Sequence, residues 1–168
     1  MMNRGTIATL VMVLLGAVMA SYAWWHQVQR GKQIHQTWGT TAVQLIRHAP
    51  QVEVLWLQNS GDSSHPPIQD DGRHYTIWKK KDVTNVPGLV HARHALISDF
   101  NYLWDADTPS AGSTTWGYAL RFSDDPNSCT LFFEHKSGYV KLLNGQQVLL
   151  HEKIRDSLLE FINRLEET

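Results

Sequence analysis

Two histidines and an arginine lie close together in the segment 88–94, which reads Gly-Leu-Val-His-Ala-Arg-His. His91 and His94 are three residues apart, so a helix would place both imidazoles on one side, at a spacing that can chelate a divalent metal. A metal site needs a third ligand, and no HExxH, CxxC or two-histidine-one-carboxylate spacing supplies one nearby. We therefore predict no metal, and we keep His91, Arg93 and His94 as candidate binding residues.

Arg93 breaks the pattern of its own helix. At 100° per residue it falls in the middle of an apolar cluster. An unpaired buried charge costs several kcal/mol, so the guanidinium must either reach the helix edge or find a carboxylate. The pattern favours a buried Arg93 paired with Glu134 or Glu53, with Asp99 as the nearby alternative. The cluster around it consists of Val86, Leu89, Val90, Leu96 and Ile97.

No catalytic residue is predicted. The chain contains neither a GxSxG elbow nor an SxxK pair, and it has no glycine-rich loop that could hold a phosphate. The single cysteine, Cys129, alternates with Leu131 and Phe133, which is typical of a buried small apolar residue rather than a reactive thiol. Because one cysteine cannot form an internal disulfide, the chain has no disulfide framework. We predict no cofactor.

The elements that must position these residues form an α+β domain. Strands with alternating apolar residues and a final amphipathic helix predict a two-layer fold, in which helices pack on an antiparallel meander sheet. Asn144-Gly145 accepts the positive φ of a two-residue type I′ turn and predicts a hairpin. Asn85 is the expected cap of the helix that carries Arg93. The expected helices cover 40–50, 85–97 and 152–166, and the expected strands cover 52–58, 73–80, 100–104, 116–122, 129–134 and 139–143.

Twenty residues without a charge, 6–25, precede this domain. At helical rise they cover the roughly 30 Å of hydrocarbon in a bilayer. Tyr22, Trp24 and Trp25 would then form an aromatic belt at the interface. The alternative is a signal peptide cleaved near residue 20 or 23, but its apolar core is usually only about 7–15 residues long. We predict a single-pass signal anchor over 1–25, a juxtamembrane linker over 26–37 and the domain over 38–168, with the domain on the extracytoplasmic side.

The charge of the chain excludes one class of partner. Its 168 residues carry a formal net charge of −1, with 15 Lys and Arg against 16 Asp and Glu. No basic face for nucleic acid follows from that balance, and the one lysine triplet, 79–81, is typical of a solvated strand edge. The prediction is a membrane-anchored, non-enzymatic accessory or interaction domain with an unknown protein partner. The alternative is a small-molecule or metal-binding module that uses the aromatic sheet face and His91/His94.

Overall fold

The computed structural model describes residues 4–29, 32–59, 67–70, 72–107, 114–134 and 136–166, with the side chains of 4–11, 26–29 and 59 left aside. Within these residues the chain forms an α+β domain, as the sequence predicts. Its helices are α1 (Arg4–Gln29), α2 (Lys32–His48), α3 (Leu89–Leu96) and α4 (Glu152–Glu166), and a 3₁₀ turn covers Asp99–Asn101. Its strands are β1 (Gln51–Asn59), β2 (Ile68–Asp70), β3 (Arg73–Asp82), β4 (Tyr102–Leu103), β5 (Tyr118–Asp124), β6 (Asn127–Phe133), β7 (Tyr139–Leu142) and β8 (Gln147–Leu150).

The N-terminal apolar run does not yield a membrane span in the described part of the chain. There, no helix combines the length and the apolar character that crossing a bilayer requires. Residues 6–11 of the run lie outside the described side chains, so the predicted anchor stays a prediction.

All eight described strands join one sheet in the order β2-β3-β1-β5-β6-β7-β8-β4. Every neighbouring pair is antiparallel. Strands β5 to β8 follow one another directly, as in the predicted meander, but the strand predicted at 100–104 does not precede them in the sheet, since β4 pairs with β8 at the far edge. Strand β1 lies between β3 and β5. After β3 the chain forms α3 and the edge strand β4, and it then returns to pair with β1 as β5.

Helices α2, α3 and α4 cover one face of this sheet. Val54, Leu120 and Leu131 from three neighbouring strands belong to the main core, together with the buried stripe of α4. The opposite face holds a smaller apolar cluster around Leu55, Ala119 and Phe132, since successive side chains on a strand point to opposite faces. The final amphipathic helix predicted over 152–166 is confirmed as α4, and its buried residues are Leu158, Phe161, Ile162 and Leu165.

A buried ion pair shows that the sheet curls. Asp70 on β2 accepts a hydrogen bond at 2.9 Å from Nζ of Lys141 on β7, although four strands lie between β2 and β7. The Asp70 carboxylate also accepts from the indole N–H of Trp116 and the backbone N–H of Asn144. Both charged side chains are almost fully buried. The edge strand β2 therefore reaches back over the far side of the sheet.

Three local predictions are wrong. The helix predicted from Asn85 begins at Leu89 after Gly88, whose φ of 98° suits a residue without Cβ. Most of the strand predicted over 100–104 is replaced by the 3₁₀ turn, and only Tyr102–Leu103 pairs. The β7–β8 hairpin exists, but its turn is not the two-residue type. The N–H of Gly145 donates to the carbonyl of Leu142, which closes a four-residue turn. Asn144 is the third residue of this turn and has a φ of 60°.

Helix α2 begins earlier than the predicted helix and reaches into the predicted linker. Asp99 accepts hydrogen bonds from the backbone N–H groups of Gln33 and Ile34, at 3.2 and 2.9 Å. These amides belong to the first turn of α2, where N–H groups lack partners inside the helix and a negative charge is favourable. Ile34 is fully buried in the main core. Gly39 interrupts the helix with φ 80° and ψ 157°, and the second half ends at His48, before Pro50, as predicted.

Candidate functional site

Arg93 is partly buried, but its partners are not carboxylates. Its guanidinium donates to the carbonyls of Ala49, Arg47 and Ile46 at 2.7, 3.1 and 3.3 Å, and it lies 5.7 Å from the centre of the Phe122 ring. These carbonyls end α2, where C=O groups lack helical partners and a positive charge is favourable. Burial lowers the pKa of Arg93. Arg93 is therefore a capping residue of α2, and the predicted pairing with a carboxylate is wrong.

Each carboxylate proposed for Arg93 has another partner. Glu53 forms an ion pair with Lys80. Glu134 accepts from the backbone N–H of Ser137 at 2.8 Å. Asp99 caps the beginning of α2, as described above. The sequence pattern correctly placed Arg93 on the packing side of α3. It could not predict the partners of Arg93, because they are backbone carbonyls and side-chain patterns carry no information about them.

Two lysines of the triplet 79–81 also place positive charge at the C-terminus of a helix, in this case α4. Lys79 and Lys81 donate to the carbonyls of Glu166 and Leu165 at 2.6 and 3.0 Å, while Lys80 points to the other face and pairs with Glu53. Strand β2 pairs only with residues 73–75 of β3, so the triplet lies on a stretch of β3 whose outer edge has no strand partner among the described residues, and what the sequence did not show is the partner of each ammonium group. Alternation along the strand sends two of the three ammonium groups to the helix.

His91 and His94 are both exposed, and among the described residues no group of three His, Cys, Asp or Glu side chains could hold a metal ion. His91 lies at the rim of a groove of about 390 Å³ between α3 and α4. His94 does not line it. The spacing of these two histidines therefore brings only one of them to a cavity.

The groove between α3 and α4 is mainly apolar. Small residues of α3 form one wall, since Gly88, Ala92 and Ala95 recur at helical spacing. Their short side chains leave space that the facing side chains of α4 do not fill. The α4 wall consists of Ile154, Ser157, Leu158 and Phe161, and the polar rim of His91, Glu160 and Arg164. Such a groove can take apolar side chains while charged groups remain at its edge.

The aromatic side chains of the described strands do not line this groove. Trp56, Trp116 and Tyr118 are each exposed by less than 5% and pack within the two apolar clusters. Burial raises the pKa of Tyr118 well above its usual value, which keeps the phenol neutral. Trp78 is the exception on a strand, with about half of its surface exposed. The aromatic residues therefore serve the core.

A second, polar cavity lies on the sheet face that the helices leave open. It is an open trough of about 740 Å³ over β3, β1, β5 and β6. Glu53, Arg121 and Thr130 form a straight row across its floor, because Glu53 is paired with Arg121 and Arg121 with Thr130 in the strand registers. The next row, Gln51, Ser123 and Ser128, is polar as well. Alternation with Leu120 and Phe122 places Arg121 on the other side of its strand, but nothing in the sequence signals that these strands are neighbours.

Comparisons of the chain with protein-family models, with curated proteins and with solved structures found no match.

Proposed function

We propose that this chain is a non-enzymatic interaction domain, that its N-terminal helix holds it at a membrane, and that a partner protein docks in the groove between α3 and α4. The observation that carries the proposal is the groove itself. It is an apolar cleft between two helices, with both acidic and basic side chains at its rim. A groove of this kind matches the mode in which a partner's amphipathic helix inserts its apolar face and leaves its polar face outside.

The geometry favours a helix over a small apolar molecule as the occupant. Ala92 and Ala95 on α3 face a wall that extends from Ile154 to Arg164 on α4, which is about three helical turns. An elongated cleft accommodates apolar side chains that recur along a partner's helix at i, i+3 or i+4, and i+7. Glu160 and Arg164 carry opposite charges, so the rim can pair with the mixed charges of an amphipathic helix.

The apolar segment 6–25 supports the membrane part of the proposal, with the domain on the extracytoplasmic side. Tyr22, Trp24 and Trp25 are exposed on α1 and can lie in the interface between lipid and water. An anchor raises the effective concentration of the domain for a partner in the same membrane, so a modest groove is sufficient for binding. Mass measurement of the protein recovered from membranes tests this part. A mature chain that begins near Ser21 or Trp24 would replace the anchor with a cleaved signal peptide.

Site-specific photo-crosslinking tests the groove. A benzophenone amino acid at Ser157, which lines the groove, should trap a partner in membranes of the producing cell. The same probe at Asn163, which is exposed on α4 outside the groove, should not. Ala95→Leu fills the groove and should abolish the Ser157 crosslink. His94→Leu adds the same side chain one residue away, outside the groove, and should leave the crosslink intact.

The trapped partner peptide provides the decisive result. A crosslink that maps to an amphipathic helix and disappears in Ala95→Leu supports the proposal. Equal crosslinking from Ser157 and Asn163, or a Ser157 crosslink that survives Ala95→Leu, would refute docking in the groove. Because the anchor is measured separately by mass, failure of one part is distinguishable from failure of the other.

A further inference from the structure

The polar trough contains a hydroxyl that forms no hydrogen bond within the described part of the chain. Thr130 lies in the middle of β6 and is only 4% exposed. Its backbone carbonyl accepts from the N–H of Leu143, but its hydroxyl has no hydrogen-bond partner in the described part of the chain. Among the described residues, the side-chain polar atoms that are both fully buried and unpaired are the indole N–H groups of Trp38 and Trp56, so the Thr130 hydroxyl keeps some access to the trough. The Thr130 hydroxyl lies in the wall of the trough, where an atom from outside could bind it.

Arg121 lies beside Thr130 and is also unpaired. Among the described residues its guanidinium forms no hydrogen bond and no ion pair, although the side chain is partly buried. Glu53 is its direct neighbour on β1, but that carboxylate already binds Lys80 and the side-chain amide of Gln51. A guanidinium offers a planar fork of donors that fits a carboxylate in two parallel hydrogen bonds. The trough therefore presents this fork together with one hydroxyl, and neither is used by the fold.

The surrounding charges select among anions. Lys80 and Glu53 neutralise each other, so Arg121 is the remaining positive charge of the trough. Asp124 and Asp125 line the same trough, at the turn between β5 and β6. A phosphate dianion would be repelled by these two carboxylates, whereas a single carboxylate would gain the Arg121 pair at a smaller cost. The two aspartates would in turn attract an ammonium group on the same ligand.

We propose that this trough is a binding site for a small zwitterion of the amino-acid type. Its carboxylate binds the Arg121 guanidinium and the Thr130 hydroxyl, and its ammonium group lies toward Asp124 and Asp125. The volume of about 740 Å³ is within the range of small-molecule sites and leaves room for a polar side chain. The site lies on the sheet face opposite the main core, so it is separate from the groove between α3 and α4.

The test uses the full chain in detergent micelles and follows the side-chain N–H signals of Arg121 by NMR during titration. The first probe is L-glutamine, and each other neutral amino acid follows in turn. Glutaramate lacks the ammonium group of glutamine, 4-aminobutanamide lacks its carboxylate, and inorganic phosphate represents a polyanion. We expect the amino acid to shift the Arg121 signals and to bind at least about tenfold more tightly than any of these three analogues.

Two variants show whether the unpaired groups serve binding. Thr130→Val replaces the hydroxyl with a methyl group of nearly the same shape, so it should weaken binding about tenfold while stability is kept or raised. Arg121→Gln should weaken binding by about ten- to a hundredfold, because a hydrogen bond to a charged group is lost. Arg47→Gln removes an arginine that is exposed outside the trough and serves as the control.

Specific outcomes would overturn the proposal. If no neutral amino acid shifts the Arg121 signals, the site does not bind this class. If glutaramate or phosphate binds as well as the amino acid, the aspartates do not select a zwitterion. A clear fall in thermal stability on Thr130→Val would show that the hydroxyl has a partner within the fold. These results do not depend on the groove or on the anchor.

Discussion

Arg93→Met tests whether a distant side chain caps helix α2. The substitution removes the guanidinium but keeps an unbranched apolar stem of similar reach. Three hydrogen bonds to the last carbonyls of α2 are lost, of which the bond to Ala49 is the shortest at 2.7 Å. The favourable position of a positive charge at a helix C-terminus is lost as well.

The expected loss of stability follows from the hydrogen bonds of this cap that are buried. Ile46 is fully buried and Ala49 nearly so, whereas Arg47 is exposed and water can reach its carbonyl. A hydrogen bond from a charged donor contributes about 1.5–3 kcal/mol. The helix-dipole interaction adds about 0.3–1 kcal/mol. We expect Arg93→Met to lower the free energy of unfolding by about 2–4 kcal/mol, a large part of the ~5–15 kcal/mol typical of a domain.

Urea unfolding of the full chain in micelles, followed by near-UV circular dichroism, measures this change. Arg93→Lys should cost about 1–2 kcal/mol, because one ammonium cannot reach three carbonyls in a planar fork. Arg47→Met is the matched control. It removes the same type of charge from the same helix end, but its side chain is exposed, so a change within about 0.5 kcal/mol is expected. If Arg93→Met is as mild as Arg47→Met, the cap contributes nothing and the reasoning fails.

Three further predictions concern other parts of the fold. Asp70→Asn should destabilise the chain by about 3–5 kcal/mol, because the buried Lys141 would lose its counter-charge. The double variant Asp70→Leu with Lys141→Met should cost clearly less. A double-mutant cycle of urea unfolding measures both changes, and equal costs would contradict the pairing. Burial raises the pKa of the Cys129 thiol to about 12. Iodoacetamide at neutral pH should therefore leave Cys129 unmodified in the folded chain and alkylate it in urea, as measured by mass spectrometry. Rapid labelling of the folded chain would contradict the burial of this thiol. Gly88→Ala should lower the free energy of unfolding, measured by heat or urea, by about 1–3 kcal/mol. The reason is that φ is 98° at this position and the new Cβ would lie 3.4 Å from the Phe161 ring. A neutral result would show that the chain entering α3 can change its backbone conformation.

Features that depend on near neighbours in the chain could be read from the sequence. The α4 helix and its buried stripe follow from the period of its apolar residues, and the meander from β5 to β8 follows from alternation and turn residues. The burial of Cys129 beside Leu131 follows in the same way. The local errors at Asn85 and Asn144 have a local cause: both residues accept more than one turn geometry, and packing selects among them.

The partners of charged side chains were decided by the tertiary structure alone. The sequence placed Arg93 on the packing side of α3, but which groups it meets depends on where α2 ends. Likewise, alternation places Arg121 opposite Leu120 and Phe122 on its strand, yet nothing local determines that β1 is inserted between β3 and β5. The row of Glu53, Arg121 and Thr130 exists only because that strand order and register bring them together. Side-chain periodicity is a short-range property of the backbone. The Arg93 cap and the Glu53–Arg121 pair instead join segments 44 to 68 residues apart, and only the folded chain specifies such pairings.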